Sequence, residues 1–437
     1  MNFVESSEFE RGLGPKDATI VETLCAGAQV AEGLCRNETG GRGVMDDASK
    51  TVFAQGWHAM RGVMSAATKS ALIAIIVASI GSASPSVAQT AQPENMFNGE
   101  IDEFYTGIRQ MSMGGAYVNV VNDETALLTN PAGLGRLRDL TFTVFDPELH
   151  GAFKNTESVT LDNYSGALDI QQLLEILNRT KGNHWHFKGQ VFPSFIAPNF
   201  GIGLLAKYQY NARVDPTGTT YRLDYVSDWA AAMGATLRFW DGIIKFGFAG
   251  RLVNRTEIHK DLPANSTGLE IRSQAKEGIG AAGDVGLLIT APWKYLPSIG
   301  AVVRDVGDTS YTLREGMFYG TSERPDKTDQ RVDVGLSFQP ILGNRVRMLI
   351  ALEYRGVTSP IVPEYEDAIK RSHAGMELNV ADFFFLRAGA NQGYWTGGVE
   401  FATEKFQLQA GSYGEEIGTP TGRREDRRWM GKFSLRF

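Results

Sequence analysis

The stretch RVRMLIALEYR, residues 345–355, decides how this chain folds. Val346, Met348, Ile350, Leu352 and Tyr354 occupy every second place, and the places between include Arg345, Arg347, Glu353 and Arg355. Side chains alternate across a β-strand, so this period sets an apolar face against a charged one. The same period runs through Arg331–Gln339, where Val332, Val334, Leu336 and Phe338 alternate with Arg331, Asp333, Ser337 and Gln339. It returns at Ile244, Phe246, Phe248 and Leu252 against Lys245 and Arg251, and at Ala206, Tyr208 and Tyr210 against Lys207, Gln209 and Asn211. A soluble sandwich alternates too. These strands, however, run to about ten residues, the length of a tilted membrane crossing, and their second face is charged like a wet lumen. Lipid cannot hydrogen-bond an open sheet edge, so such strands have to close. The expected fold is all-β: a transmembrane antiparallel β-barrel.

The connections sort into two classes. Short turns fall near Asn199, Trp240-Asp241-Gly242, Ala291–Pro297, Pro340–Asn344, Ala381-Asp382 and Thr403-Glu404. Between them lie mostly longer polar stretches, at about 150–185, 213–221, 256–276, 307–329, 357–370 and 414–426, with one tight turn at Asn391–Gly393. Short periplasmic turns paired with longer outer loops are the habit of outer-membrane barrels, and this tally gives about 14 strands with both ends periplasmic. The chain closes on RRWMGKFSLRF, with Trp429, Gly431, Phe433, Leu435 and Phe437 on one face and Arg428, Lys432, Ser434 and Arg436 on the other. An alternating last strand with a terminal Phe resembles the insertion signal read by the barrel-assembly machinery, with Trp429, Phe433, Leu435 and Phe437 as its apolar side.

Composition agrees with strands. Of 437 residues 49 are Gly, aromatic residues reach 10% and charged residues 21%, a mixture that fits many strands better than a bundle of apolar helices. The net charge of −7 argues against a nucleic-acid partner. Both cysteines, Cys25 and Cys35, lie in the first segment, so no disulfide or thiol chemistry is expected beyond it.

From Met60 the sequence reads MRGVMSAATKSALIAIIVASIGSASPSVAQ. Arg61 and Lys69, an apolar run from Ala71 to Ile80 and the small residues ending at Ala88 follow the three-part design of a secretory signal, with cleavage before Gln89. The run is about half of a spanning helix; the alternative is a buried core helix. The expected organisation is an extension over 1–59, mis-assigned or without fold, a signal peptide over 60–88, an N-terminal segment over 89–138 and a barrel over 139–437. Removal of residues 1–88 leaves 36 basic and 41 acidic residues, so the mature chain stays mildly acidic.

Within the N-terminal segment stands GIRQMSMGGAYVNVVNDETALLTNPAGLGRL, residues 107–137. Its Gly107, Arg109, Met113-Gly114-Gly115-Ala116, Asp123, Ala126 and Asn130-Pro131-Ala132-Gly133-Leu134 resemble, in order and spacing, the N-terminal region of the FadL-type long-chain fatty-acid transporter and PorV-like outer-membrane superfamily. The resemblance covers about thirty residues. It implies a fourteen-strand barrel whose N-terminal segment folds inside the lumen as a hatch. Gly114-Gly115 suits a close approach to a wall, and Pro131 after Asn130 suits a turn toward the first strand. A periplasmic arm with the same turns is the alternative.

Other signals carry less. Gly278–Gly283 has the spacing of a dinucleotide fingerprint, but the following DVGLLIT continues a strand where that motif needs a helix. His184-Trp185-His186 offers two imidazoles without a third ligand and fits an interfacial aromatic belt. Ala167–Asn178 reads as a helix in the first outer loop. The candidate lumen-lining residues are Lys245, Arg251, Arg304, Arg331, Arg345, Arg347, Glu353 and Arg355; such a wall either attracts anionic head groups or is a self-paired lining. No catalytic, metal or cofactor set stands out. The expected function is passive uptake of hydrophobic or amphipathic small molecules, fatty-acid-like, across the outer membrane. The alternative is a PorV-like barrel that docks secretion or surface-attachment components, and a barrel enzyme is a distant third. The expected partners are outer-membrane lipid, the barrel-assembly machinery during insertion, a hydrophobic ligand and, on the alternative reading, secretion-system components.

Overall fold

The computed structural model describes residues 103–152, 184–214, 219–263, 274–361, 367–418 and 421–437. The expected extension, signal peptide and loop helix at 167–178 lie outside these residues.

Fourteen antiparallel strands form one sheet that closes on itself. Two strands come in pieces: β1 is Thr141–Phe145 and Glu148–Ala152, and β2 is His184–Val191 and Ser194–Ala197. There follow β3 (Phe200–Val214), β4 (Thr220–Phe239), β5 (Ile244–Pro263), β6 (Lys276–Thr290) and β7 (Ser298–Arg304). Next come β8 (Arg331–Phe338, continued at Ile341–Gly343), β9 (Val346–Tyr354), β10 (Ser372–Val380) and β11 (Phe384–Asn391). The last three are β12 (Tyr394–Ala402), β13 (Phe406–Glu416) and β14 (Glu425–Arg436). The seam is β14 against β1, in register at Lys432↔Glu148 and Arg428↔Ala152. Closure leaves no row of unpaired amides for lipid to meet.

The six short turns fall where the sequence sets them. Asn199, Trp240, Asp241, Ala381 and Asp382 all adopt positive φ, the left-handed conformation that tight strand connections demand. The outer turn at Gln392-Gly393 does the same.

Alternation translates directly into two environments. Leu204, Met233, Leu252, Ile299, Leu352 and Leu408 are exposed on the outer wall, while Lys207, Asp228, Arg251, Asp284, Asp333, Glu353, Arg387 and Lys432 are buried inside. A charged interior under a greasy exterior is the inverse of a soluble protein and defines a membrane-spanning barrel. β4 and β5 hold 20 residues each, about twice what a crossing needs, so their outer halves project beyond the bilayer.

The breaks in β1 and β2 have one cause. Pro147 and Pro193 supply no amide proton to the ladder, yet the wall stays continuous. The Pro147 carbonyl accepts from Phe433 N at 3.2 Å and the Pro193 carbonyl from Leu204 N at 3.0 Å. The buried Asp146 carboxylate bridges the two breaks by accepting from Phe192 N at 2.5 Å.

Candidate functional site: the segment inside the barrel

Residues 103–137 lie within the lumen, and they form the protein's apolar core. Met113, Ala116, Val121, Ala126 and Leu134 are fully buried, packed with Phe192, Ile196, Leu205, Ala230, Ala232, Val253, Leu349 and Ala351 of the wall. The wall contributes many small side chains there, because a barrel of this width has room for a second layer of chain only where its own lining is thin.

Local structure follows from capping. Helix α1 (Ile108–Ser112) is one short turn. The Asp123 side chain accepts from Thr125 N at 3.1 Å and starts the 3-10 helix Glu124–Leu127. Asn130 does the same for Pro131–Arg136, accepting from Ala132 N at 3.1 Å, and its amide donates to Val118 O at 2.8 Å. Pro131 stands at the first helical position, where a missing amide proton costs nothing. The Asn-Pro pair thus caps a helix, where the sequence suggested a turn toward β1. These geometries account for the spacing of Asp123, Ala126, Asn130 and Pro131 in the motif.

The segment is seated on glycine. Five lumen-facing cross-strand glycine pairs line the wall: Gly201↔Gly234, Gly247↔Gly286, Gly300↔Gly335, Gly375↔Gly389 and Gly398↔Gly411. Each pair receives a different part of the segment. A Cβ on Gly375 would stand 2.1 Å from Met113 O, one on Gly398 2.2 Å from Ser112 Oγ, and one on Gly247 2.2 Å from Ala132 N. On Gly300 it would meet Asn119 Cβ at 2.4 Å, and on Gly234 it would meet Leu127 Cδ1 at 2.9 Å. From the other side, Gly114 turns at φ +65 with its Cα against the Ala374 and Ala390 backbones. At Gly247, Gly300 and Gly375 an alanine would have to displace backbone; at Gly234 and Gly398 it presses first on the Leu127 and Ser112 side chains. Glycines at inward parity on neighbouring strands were readable in the sequence; their pairing required the register.

Ion pairs tie the same segment to the wall. Arg109 donates to Glu377 from Nε and Nη2, each at 2.9 Å, and to Asp123 at 2.9 Å. Glu377 also accepts from Arg387 at 2.7 Å, which reaches on to Glu400. Glu353 accepts the backbone amides of Tyr117 at 2.6 Å and Val118 at 2.7 Å. Arg355 donates to Glu353, to Glu103 and to the Gly115 carbonyl. Burial alone would raise the Glu103 carboxyl, but the Arg331, Arg355 and Arg304 guanidiniums outweigh it and hold it well below the usual carboxylate range. Asp123 is likewise held low, burial being overcome by Arg109 and by hydrogen bonds from Thr125 and Tyr117. Arg136 is lowered to about 10 by burial and by the neighbouring Arg109.

The lumen candidates divide. Arg251 pairs with Asp284 and Asp305 and stacks on Phe104 at 4.5 Å. Arg304 and Arg331 share Asp333, and Arg304 also reaches Leu128 O at 3.2 Å. Lys245 donates to Gly242 O, with its stem beside Gly135. Arg347 stands half-open at the short-turn mouth, bonded to Asp382. Arg345 corrects an expectation: it is exposed in the turn before β9, outside the lumen, because the strand begins at Val346. The lining is self-paired, and the acids that balance it, among them Asp228, Asp284, Glu400 and Glu103, escaped the sequence reading. Asp228, Asp284 and Glu400 meet cations of the adjacent strands, and Glu103 of the inner segment meets Arg331 and Arg355.

His184 and His186 also correct an expectation. His186 faces the lumen with Nδ1 2.6 Å from Asn211 Oδ1, and His184 lies 3.6 Å from Asp426. Only the Trp185 side of the strand joins an outward aromatic group, Phe187, Tyr208, Tyr210 and Tyr225. The glycines at 278–283 lie within β6, as the strand reading required; Gly278 and Gly280 let the Ser310-Tyr311 backbone cross the lumenal face.

Among the described residues, two polar cavities adjoin the segment and an apolar one lies across the wall from it. On the outer side, a polar space of about 30 Å³ between Lys188, Arg355, Tyr413 and Arg428 has room for little more than one water. Toward the short turns, a polar vestibule of about 260 Å³ is lined by Arg109, Asp123, Glu377, Arg387 and Lys432. The third, about 630 Å³, is apolar and lies on the lipid side of the wall, between Ile299, Val334, Leu336, Leu352, Ile369, Ala374 and Ala390. Gly114 presses on the backbones of Ala374 and Ala390 from within, so one thickness of sheet separates this cavity from the segment. Among the described residues no group of His, Cys, Asp and Glu is arranged to hold a metal ion.

Fold and site together define a transmembrane β-barrel with residues 103–137 packed against its inner wall. No family model matches the chain, and no curated protein does. Solved structures that are similar to it include the CymD monoaromatic hydrocarbon channel, at 10% identity and TM-score 0.47 over 76% of this chain and 96% of that one. The Ralstonia pickettii toluene transporter TbuX is similar at 13% identity and TM-score 0.44, over 76% and 98%. A Pseudomonas aeruginosa FadL homologue is similar at 8% identity and TM-score 0.27, over 78% and 99%. These are likenesses of architecture; the closed barrel itself rests on the strand register.

Proposed function

We propose that this chain, exported by the signal at 60–88, resides in the outer membrane as a passive channel for hydrophobic or amphipathic small molecules, with residues 103–137 as its closure. The observation that supports this reading most is the apolar cavity of about 630 Å³ on the lipid face, opposite the Gly114 seat. A paired, charged lumen is a poor path for a greasy molecule. A route that enters or leaves through the thin wall at Ala374 and Ala390 avoids it. Displacing the segment from its glycine seats opens that place from within.

The test is uptake into liposomes holding the purified protein, with two apolar probes of different shape, a fluorescent long-chain fatty acid and a small aromatic hydrocarbon. Uptake above that of an unrelated barrel, slowed by Ala390→Leu on the outward face, is the expected result. Uptake no faster than that of the unrelated barrel for both probes removes the reading.

A second reading, a PorV-like docking barrel for a secretion or surface-attachment system, is favoured by one observation. Among the described residues, the cavities that adjoin the segment on the lumen side are polar. Co-purification of a secretion component from native membranes, together with absent uptake, is the outcome that would select it.

A further inference from the structure

The connection between β7 and β8 leaves the barrel top and lays one turn, residues 316–320, on the outside of the wall. Its position is fixed by the register. Trp229 stands opposite Asn254, and Thr256 opposite Glu277, so Trp229, Asn254 and Glu277 share the outward face. Four consecutive amides of the turn are satisfied by two of these side chains. Met317 N donates to Asn254 Oδ1 at 3.0 Å and Phe318 N to Glu277 Oε1 at 3.0 Å; Tyr319 N and Gly320 N donate to Glu277 Oε2 at 2.7 and 3.1 Å. Asn254 Nδ2 donates to Glu277 as well, at 3.0 Å. Gly316 lies so close that a Cβ there would fall 1.9 Å from the Glu277 carboxyl carbon.

This arrangement is unusual for a loop in water, where amides need no protein acceptor. It is what irregular backbone needs beside hydrocarbon, where each unsatisfied amide is costly. The side chains point the same way. Met317 is 69% exposed and Phe318 53%, and the Phe318 ring lies 5.6 Å from that of Trp229, itself outward and exposed. Trp229 stands ten residues above Phe239 along β4, which at ~3.3 Å per residue and the usual tilt is roughly the height of a barrel's apolar band. Trp240 and Trp293, both strongly exposed, stand by the short turns and mark the other edge of the band.

We propose that residues 316–320 are a membrane-inserted flap, with Met317 and Phe318 entering the outer rim of the bilayer beside Trp229 and the Glu277 carboxylate holding the turn's amides so that it can. The partner is lipid, and the flap prolongs the barrel's apolar band. It holds whether the barrel transports or docks.

The test uses the full chain in phosphatidylcholine vesicles, with Cys25 and Cys35 replaced by Ser and one cysteine introduced at Met317→Cys, Phe318→Cys or Lys327→Cys for an NBD label. Doxyl-labelled lipid is expected to quench the label at 317 and 318 several-fold more than at 327, with iodide showing the reverse order. Glu277→Ala, in the Phe318→Cys background, is expected to shift 318 toward the iodide pattern while the barrel keeps its heat-modifiable migration. Equal lipid quenching at 318 and 327 overturns the proposal. So does a label at 318 that iodide reaches in vesicles and that only an added membrane-protein extract protects, since the partner would then be a protein.

Discussion

Arg109 and Glu377, 268 residues apart, meet in a two-pronged hydrogen bond, with both guanidinium nitrogens 2.9 Å from the carboxylate oxygens. One residue lies in the inner segment and the other on β10, so this pair fastens the segment to the wall. Glu377 serves Arg387 as well, and the two partners are therefore not equivalent.

Removing the shared acid does more damage than removing one cation. Glu377→Ala takes a shared anion from two guanidiniums at once; Arg109 keeps Asp123 and Arg387 keeps Glu400, so the loss stays below the about 3–5 kcal/mol of a fully stranded buried charge. Arg109→Ala leaves Glu377 with Arg387, and Asp123 with the hydrogen bonds of Thr125 and Tyr117, and costs less. Urea unfolding in detergent measures the difference, and planar-bilayer recordings are expected to show greater ion leak for Glu377→Ala. Equal stability of the two variants would refute the shared-anchor account.

The glycine seats predict a steric wedge. In Gly389→Val the new Cβ stands 2.5 Å from Ala374 O of the adjacent strand and 2.6 Å from Gly114 N of the segment, and something must move. The sheet is hydrogen-bonded along its length, so the segment yields first. The expected phenotype is raised conductance with normal barrel migration on gels. Gly250→Ala on β5, where nothing lies within 4 Å, serves as the silent control, and leak in both variants alike would contradict the seat.

The acids of the segment set its pH response. Glu103 and Asp123 are held low when folded, so their contribution is complete above the ordinary carboxylate pKa of ~4 and is lost as pH falls through the folded value. Protease protection and conductance are thus expected to stay constant from about pH 5 to 8 and to change only in stronger acid. Opening near neutrality would show that these carboxylates are not pinned by arginine.

Phe437 closes the seam. Phe437 and Phe142 exchange backbone hydrogen bonds of 2.8 and 2.9 Å, next to the β14–β1 pairing. Deletion of Phe437 is expected to slow barrel closure, read as a smaller heat-modifiable fraction in a folding time course. Unchanged kinetics with the native assembly machinery and in pure lipid would dismiss both the seam and the signal.

Much of this was legible in one dimension. The alternation at 345–355, the six short turns and the final strand gave the barrel, the strand number and the two faces of the strands, because a strand's faces are set by parity alone. Asn130 and Asp123 were readable as points of structure, since caps are local. Arg345 was misplaced because parity says nothing of where a strand starts.

What the chain order could not supply was who meets whom across the lumen. The glycine pairs and the Glu277 bracket under residues 316–320 exist only once neighbouring strands are in register, and the Arg109–Glu377 clasp only once the segment lies against the wall. Faces are written in the sequence because they depend on the next residue. Partners are decided by tertiary structure because they depend on strand register and on where the segment is seated.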